Sequence, residues 1–306
     1  MIDASTHGML GFQRIAGGLS PLSRLFFLAL LGVMMVAGAQ AQTAQGDPKK
    51  GQYLAAVAGC MGCHTDTAPG AVPYAGGRRL QTPFGVFYGP NITPHLSAGI
   101  GKWSEADFKR AIRLGERADG QHYFPAFPYA SFTGMSDTDI RDLWAYLRTL
   151  ASAERANQAH ELRFPFGLRQ LVTAWKWLFF VPQRAGVNPQ ASVEVNRGAY
   201  IAGALSHCTE CHTPRNFLGG PVKGRLLGGG MISEGRAPNL TPTRLKRWSD
   251  AQLKEFLRSG ATPEGDVPAE AMEEIIRNTT SQLSPQDLGA LIAYLRLLPA
   301  LAEEKR

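Results

Sequence analysis

Cysteine is scarce in this chain of 306 residues: Cys60, Cys63, Cys208 and Cys211 form two pairs and none is left over. In an exported protein an even count ordinarily suggests disulfides, but the spacing inside each pair argues otherwise. Long apolar runs are also missing. The run from Leu25 to Ala39 stops at fifteen residues, short of the roughly 20 that span a bilayer. The last residues, Leu301 to Arg306, are polar and offer no anchor. Strand signals are few, so the expected class is all-α.

The first residues read as an address. Arg14 and Arg24 precede the apolar run, and Ala39-Gln40-Ala41 follows as a small-x-small cleavage site. That order is the pattern of a secretory signal peptide over residues 1–41, with an uncleaved anchor helix as the alternative. Its removal takes away Arg14, Arg24 and Asp3 and lowers the formal charge of +7 by one. The remaining basic excess suits either simple solubility or docking to an acidic partner. About 265 residues are left, enough for two domains of ordinary size.

Residues 60–64 read Cys-Met-Gly-Cys-His and residues 208–212 read Cys-Thr-Glu-Cys-His. C-x-x-C-H is the attachment signature of a c-type haem. On a helical turn, residues three apart share a face, so two thiols reach the two vinyl groups of one porphyrin. The adjacent His64 or His212 then places an imidazole on the iron as proximal ligand. The cofactor expectation is therefore two covalently bound haem c groups. A redox dithiol needs no following histidine, and it would not be expected twice in a repeated chain. The two pairs are too far apart in sequence for a compact zinc ribbon.

The chain repeats itself around these motifs. Gly51-Gln52-Tyr53-Leu54-Ala55 precedes the first motif and Gly198-Ala199-Tyr200-Ile201-Ala202 the second. Asn91-Ile92-Thr93-Pro94 is matched by Asn239-Leu240-Thr241-Pro242, and Trp103-Ser104 by Trp248-Ser249. Asp139-Ile140 and Ala145-Tyr146-Leu147 return as Asp287-Leu288 and Ala293-Tyr294-Leu295. Ser104 with Asp107, and Ser249 with Gln252, are expected helix N-caps. Gly115 and Gly260 would close those helices. Ser136 and Ser284 would cap a last helix in each copy, with Pro285 in its first turn.

The expectation is two tandem class I cytochrome c-like domains, residues 42–155 and 191–306, joined by an aromatic connector over 156–190. Each domain should hold a helix ending in the motif, a long ordered loop around the haem, a middle helix and a last helix. Residues 69–94 and 214–242 are the expected loops.

An electron carrier needs a ligand on the far side of each iron, and methionine is the usual choice at high potential. Between His64 and Ser192 only Met135 is available, with His95 and His122 as imidazole alternatives. In the second copy Met272 is preferred over Met231, because it follows the middle helix, where the chain can return to the far face. The two choices do not align, since Met135 matches Leu283. Arg78, Arg79 and Arg215 are candidate partners for haem propionates. The connector holds Phe164, Phe166, Leu171, Trp175, Trp177, Leu178, Phe179 and Phe180. It reads either as packing in a domain interface or as a surface patch for a partner protein or a membrane.

Several runs carry a family resemblance: Thr82-Pro83-Phe84-Gly85, Asn91 to Pro94, Gly99 to Ser104, Phe124-Pro125-Ala126-Phe127-Pro128-Tyr129, and Cys211 to Arg215. Over nearly all of residues 48–298 the chain resembles the cytochrome c subunits of bacterial membrane-associated alcohol, gluconate, sorbitol and aldehyde dehydrogenases. Many of those have three haem motifs, whereas this chain has two. Several have methionine where Phe127 stands, leaving Met135 as the match for the first distal ligand.

The resemblance implies a periplasmic, non-catalytic respiratory-chain subunit at the outer face of the cytoplasmic membrane. It would take electrons from a dehydrogenase catalytic subunit carrying a quinoprotein, flavin or molybdenum centre and pass them to quinone or another cytochrome; no nucleic-acid partner is expected. The competing expectations are a dihaem enzyme, such as a thiosulfate dehydrogenase or peroxidase with an open or unusual iron ligand, and a free electron shuttle.

Overall fold

The computed structural model describes residues 45–303, apart from 234 and 267. The expected leader lies outside the described residues. Asp47 caps the first helix, α1 (Pro48–Val57), by accepting from the amides of Lys49 and Lys50, with Pro48 inside its first turn. Gly59, at φ 65°, turns the chain into α2 (Cys60–His64). The middle helix α3 (Glu105–Leu114) opens with the reciprocal Ser104–Asp107 capping box and closes on left-handed Gly115. After the short α4 (Tyr129–Phe132), Ser136 caps α5 (Asp137–Leu147) through the Asp139 amide.

The connector contributes α6 (Arg169–Phe179). The second half then repeats the first. Its leading helix α7 (Val193–Tyr200) runs into a π-turn (Ile201–Leu205) and then α8 (Thr209–His212), which carries the second motif's histidine. A four-residue α9 (Pro242–Leu245) precedes α10 (Asp250–Ser259), which has the Ser249–Gln252 capping box and left-handed Gly260. The chain ends with α11 (Glu270–Asn278) and α12 (Pro285–Leu297), the latter capped by Ser284.

The leading and last helices of each half cross at a glycine. A Cβ on Gly51 would run into the carbonyl of Asp142 in α5, and one on Gly198 into the carbonyl of Ala290 in α12. Only glycine lets two helix backbones approach this closely. Below the crossings lie the apolar stripes Ile140, Leu143 and Leu147, and Leu288, Leu291, Ile292 and Leu295, all within one continuous core.

The fold is mostly helical, and among the described residues the loops add two small antiparallel sheets that the sequence reading did not include. β1 (Arg79–Thr82) pairs with β2 (Gly85–Tyr88), and β3 (Glu161–Leu162) of the connector adds to β2. In the second half β4 (Gly230–Ile232) pairs with β5 (Gly235–Ala237). Glycines supply the reversals, Gly85 at φ 126° and Gly235 at φ 125°, conformations that a side chain would strain. Two- to four-residue strands give too short an alternation for sequence periodicity to register.

The halves brace each other reciprocally. Tyr53 on α1 donates to Asp287 of α12 at 2.7 Å and accepts from the Ser284 amide at 3.2 Å. Its counterpart Tyr200 on α7 donates to Asp139 of α5 and accepts from the Ser136 amide at 3.1 Å. Each leading helix therefore packs along the last helix of its own half and hydrogen-bonds to the last helix of the other.

Candidate functional site

The two motif histidines are held alike. His64 Nδ1 lies 2.7 Å from the carbonyl oxygen of Pro90, and His212 Nδ1 lies 2.8 Å from that of Pro238. A carbonyl can only accept, so Nδ1 carries the proton and Nε2 keeps its lone pair. Burial lowers the pKa of both imidazoles, with the proline contact opposing it, so they are neutral at physiological pH. A neutral imidazole oriented through Nδ1–H is the form that binds a metal through Nε2.

The next shell repeats too. The Asn91 side chain accepts from the amide and hydroxyl of Thr93, and Asn239 from those of Thr241, at 2.7–2.9 Å. The asparagine amides donate to the chain that leaves each half, at Ala153 (2.8 Å) and Leu301 (2.9 Å). These bonds pin the loop that presents the proline carbonyl.

None of the four cysteines is joined in a disulfide. Burial pushes Cys60 and Cys208 up to about 12 and Cys63 up to about 11. Thiols so raised stay protonated and are poor partners for disulfide exchange. Among the described residues no cluster of three or more His, Cys, Asp or Glu side chains is placed to hold a metal ion. Cys63 lies within electrostatic reach of Glu274, Arg78 and Cys211.

Among the described residues, four buried polar atoms have no protein partner: Arg78 Nε, Tyr129 OH, Ser206 Oγ and Thr279 Oγ1. Each belongs to the motifs' surroundings. Arg78 Nη2 binds Glu274 at 2.6 Å beside Cys63, and Thr279 Oγ1 would lie 3.1 Å from a Cβ on Gly59. Ser206 stands two residues before Cys208. Tyr129, raised mainly by burial, is raised further by Glu210 of the second motif. Buried polar groups are rarely left unpaired, so these walls fit a bulky group with polar substituents. The neutral thiols, oriented imidazoles and unpaired donors all fit covalent haem.

The candidate distal ligands stand in different settings. Met135 is fully buried in the core just before α5, its amide bonded to the Phe132 carbonyl and its carbonyl to Arg113. Met272 is half-buried in the first turn of α11 and packs against the same core. Leu283, the counterpart of Met135, is also buried, so aliphatic packing occupies that position in the second half. Met231 is 67% exposed on β4. Of the imidazole alternatives, His95 Nδ1 accepts the Ala98 amide and His122 Nδ1 lies 2.9 Å from Lys176 Nζ. The candidate propionate partners have protein neighbours: Arg78 pairs with Glu274 and Arg215 with Glu210, while Arg79 is exposed on β1.

Sequence reasoning missed His207, which precedes Cys208 at φ 42°. Its Nε2 lies 3.3 Å from the Ala58 carbonyl of the first half, and its ring meets Phe132 edge-on at 5.5 Å. The available signal was a histidine where the repeat has Gly59.

Fold and sites together define a c-type cytochrome, a protein that carries haem covalently and transfers electrons. The cytochrome c family model matches residues 48–151. A dihaem c-type cytochrome of Cereibacter sphaeroides is 41% identical over 263 residues, covering 84% of this chain and 87% of that protein. The chain belongs to that family of dihaem c-type cytochromes. It is also similar to the cytochrome c subunit of the quinone-dependent alcohol dehydrogenase of Gluconobacter oxydans (36% identity) and to the fructose dehydrogenase cytochrome subunit of Gluconobacter japonicus (34%). Each of these alignments covers 90% of this chain, but only 60% and 59% of the respective relative.

Proposed function

We propose that this chain is the electron-transfer subunit of an exported dehydrogenase complex, with one haem c in each of two cytochrome c-like domains, residues 42–155 and 191–306. Cys60 and Cys63 attach the first haem, with His64 and Met135 as axial ligands. Cys208 and Cys211 attach the second, with His212 and Met272. Bound haem supplies a one-electron iron couple whose potential depends on axial ligation and burial. The chain's residues orient each imidazole through a proline carbonyl, exclude water with the shared core, and hold the two attachment sites against each other.

The duplicated histidine–proline contact within a duplicated hydrogen-bond frame carries this reading. The donor would be a periplasmic catalytic subunit bearing a quinoprotein, flavin or molybdenum centre, and the acceptor a quinone or another cytochrome. Support for such a partner comes from the relatives named as dehydrogenase subunits.

A pyridine haemochrome assay on the exported chain should give two haems per polypeptide; one or none would reject the reading. Met135→Ala and Met272→Ala should each remove half of the charge-transfer absorption between methionine sulfur and ferric iron. Rapid binding of carbon monoxide or cyanide to one haem of the unaltered protein would favour a dihaem enzyme instead.

A further inference from the structure

Helix α6 is turned inside out. Its charged Lys176 is 8% exposed, donating from Nζ to the Leu114 carbonyl at 2.6 Å and to Glu116 at 3.3 Å, and its ammonium sits over the rings of Tyr129 and Phe180. Val172 is buried on the same side. Trp177 (88% exposed), Leu178 (66%) and Leu171 (43%) look outward, and Leu168 and Val181 at the helix ends continue the apolar face. Phe164 extends it at 86% exposure. Water penalises such a face, and contiguous apolar patches on soluble proteins mark interaction sites.

The two segments that build this face carry charge of one sign. From residue 162 to 192 the chain contains no Asp or Glu, but does contain Arg163, Arg169, Lys176 and Arg184. The loop of residues 211–233 also lacks acids and adds Arg215, Lys223 and Arg225. That loop adjoins the helix: a Cβ on Gly220 would enter the Phe179 ring, and one on Gly219 would lie 3.9 Å from Trp175 Nε1. The loop brings Phe217, 92% exposed, to the same neighbourhood. Some cations are already paired, Lys176 with Glu116, Arg184 with Asp137 and Arg215 with Glu210. Arg163, Arg169, Lys223 and Arg225 have no carboxylate partner among the described ion pairs.

We infer that this face, α6 with residues 164–168 and the tip at Phe217, docks the protein on an anionic phospholipid bilayer. Tryptophan and phenylalanine favour the headgroup boundary, and leucine and valine the region just beneath it. Arginine and lysine without carboxylate partners in these segments would be drawn to the negative surface potential. Among the described residues no helix is long and apolar enough to cross a membrane. At 11 residues α6 is about 16 Å long, so it would lie along the surface. The inference does not depend on which enzyme donates electrons.

The test is flotation of the haem-loaded chain beginning at Gln42 with phosphatidylethanolamine vesicles containing about a quarter phosphatidylglycerol, and with phosphatidylcholine vesicles. The floated fraction is read from haem absorbance. The protein should float with the anionic vesicles, less well with phosphatidylcholine, and less well at high salt. The triple variant Phe164→Ser/Trp177→Ser/Leu178→Ser should partition at least about tenfold less. Because all three side chains are solvent-exposed, its haem content and reduced spectrum should match the unaltered protein. Failure of the unaltered protein to float, or equal flotation of the triple variant, would overturn the proposal. So would co-purification with a dehydrogenase subunit that the triple variant alone loses, since the face would then bind protein. The haemochrome count in each sample keeps this outcome separate from the electron-transfer reading.

Discussion

In the N-terminal half seven positions separate Tyr53 from Cys60, and in the C-terminal half eight separate Tyr200 from Cys208. The extra residue does not disturb either end. Both tyrosines reach the aspartate of the opposite half, and both motif histidines reach their proline carbonyls. The second half absorbs it in the π-turn Ile201–Leu205, where one more residue fits into a turn. The motif is then entered through His207 instead of Gly59, both with positive φ. The comparison teaches that contacts fixing the imidazoles and the helix crossing are held constant, while the segment between them can change length.

The largest effects should come where the halves agree most closely. Gly51→Ala and Gly198→Ala each force a methyl group into a crossing helix backbone. Each should cost about 3 kcal/mol or more in urea unfolding of the haem-loaded protein. A large loss from only one would break the equivalence of the two crossings.

Removing the buried asparagines should rank the halves. Asn91 donates to two carbonyls, Ala153 and Arg155, whereas Asn239 donates to Leu301 alone. Asn91→Ala should cost about 3 kcal/mol and Asn239→Ala about 2 kcal/mol, since each strands buried partners. The reverse order would show that the loop in the second half depends more heavily on its asparagine.

The cross-brace at Asp287 responds to acid. Burial alone would raise the Asp287 carboxyl, but Arg197 and Tyr53 outweigh it and hold it below the usual carboxylate range. A depressed folded pKa adds stability above the unfolded value of about 4, and that stability is lost as pH falls through the folded value. Asp287→Asn should therefore flatten the fall in melting temperature below about pH 4. Tyr53→Phe and Tyr200→Phe should each cost about 1 kcal/mol at neutral pH.

The smallest effect lies at the turn into each motif. Gly59→Ala should destabilise by about 1 kcal/mol, because alanine is strained at φ 65°. His207→Gly should stay within about 0.5 kcal/mol of the unaltered protein, strain relief offsetting the lost contacts with Ala58 and Phe132. A larger loss in thermal unfolding would make His207 a clamp between the halves.

Much of this was legible from the chain. Ser104, Ser136, Ser249 and Ser284 cap the helices assigned to them, and Gly115 and Gly260 end theirs in left-handed turns. Capping depends on residues within one turn, so spacing alone specifies it. The connector was only half legible. Its aromatic content stood out, but burial of Lys176 beneath an exposed Trp177 depends on Leu114, Glu116 and His122, some 60 positions away.

The sequence by itself determined the attachment chemistry, the duplicated order of helices and their ends, because each rests on residues a few positions apart. The tertiary structure decided which proline carbonyl orients each imidazole, which half each tyrosine braces and which face of α6 meets water. Those outcomes join groups 26 to 234 residues apart, such as His64 with Pro90 and Tyr53 with Asp287. Packing of the whole chain brings such groups together, and no local spacing encodes it.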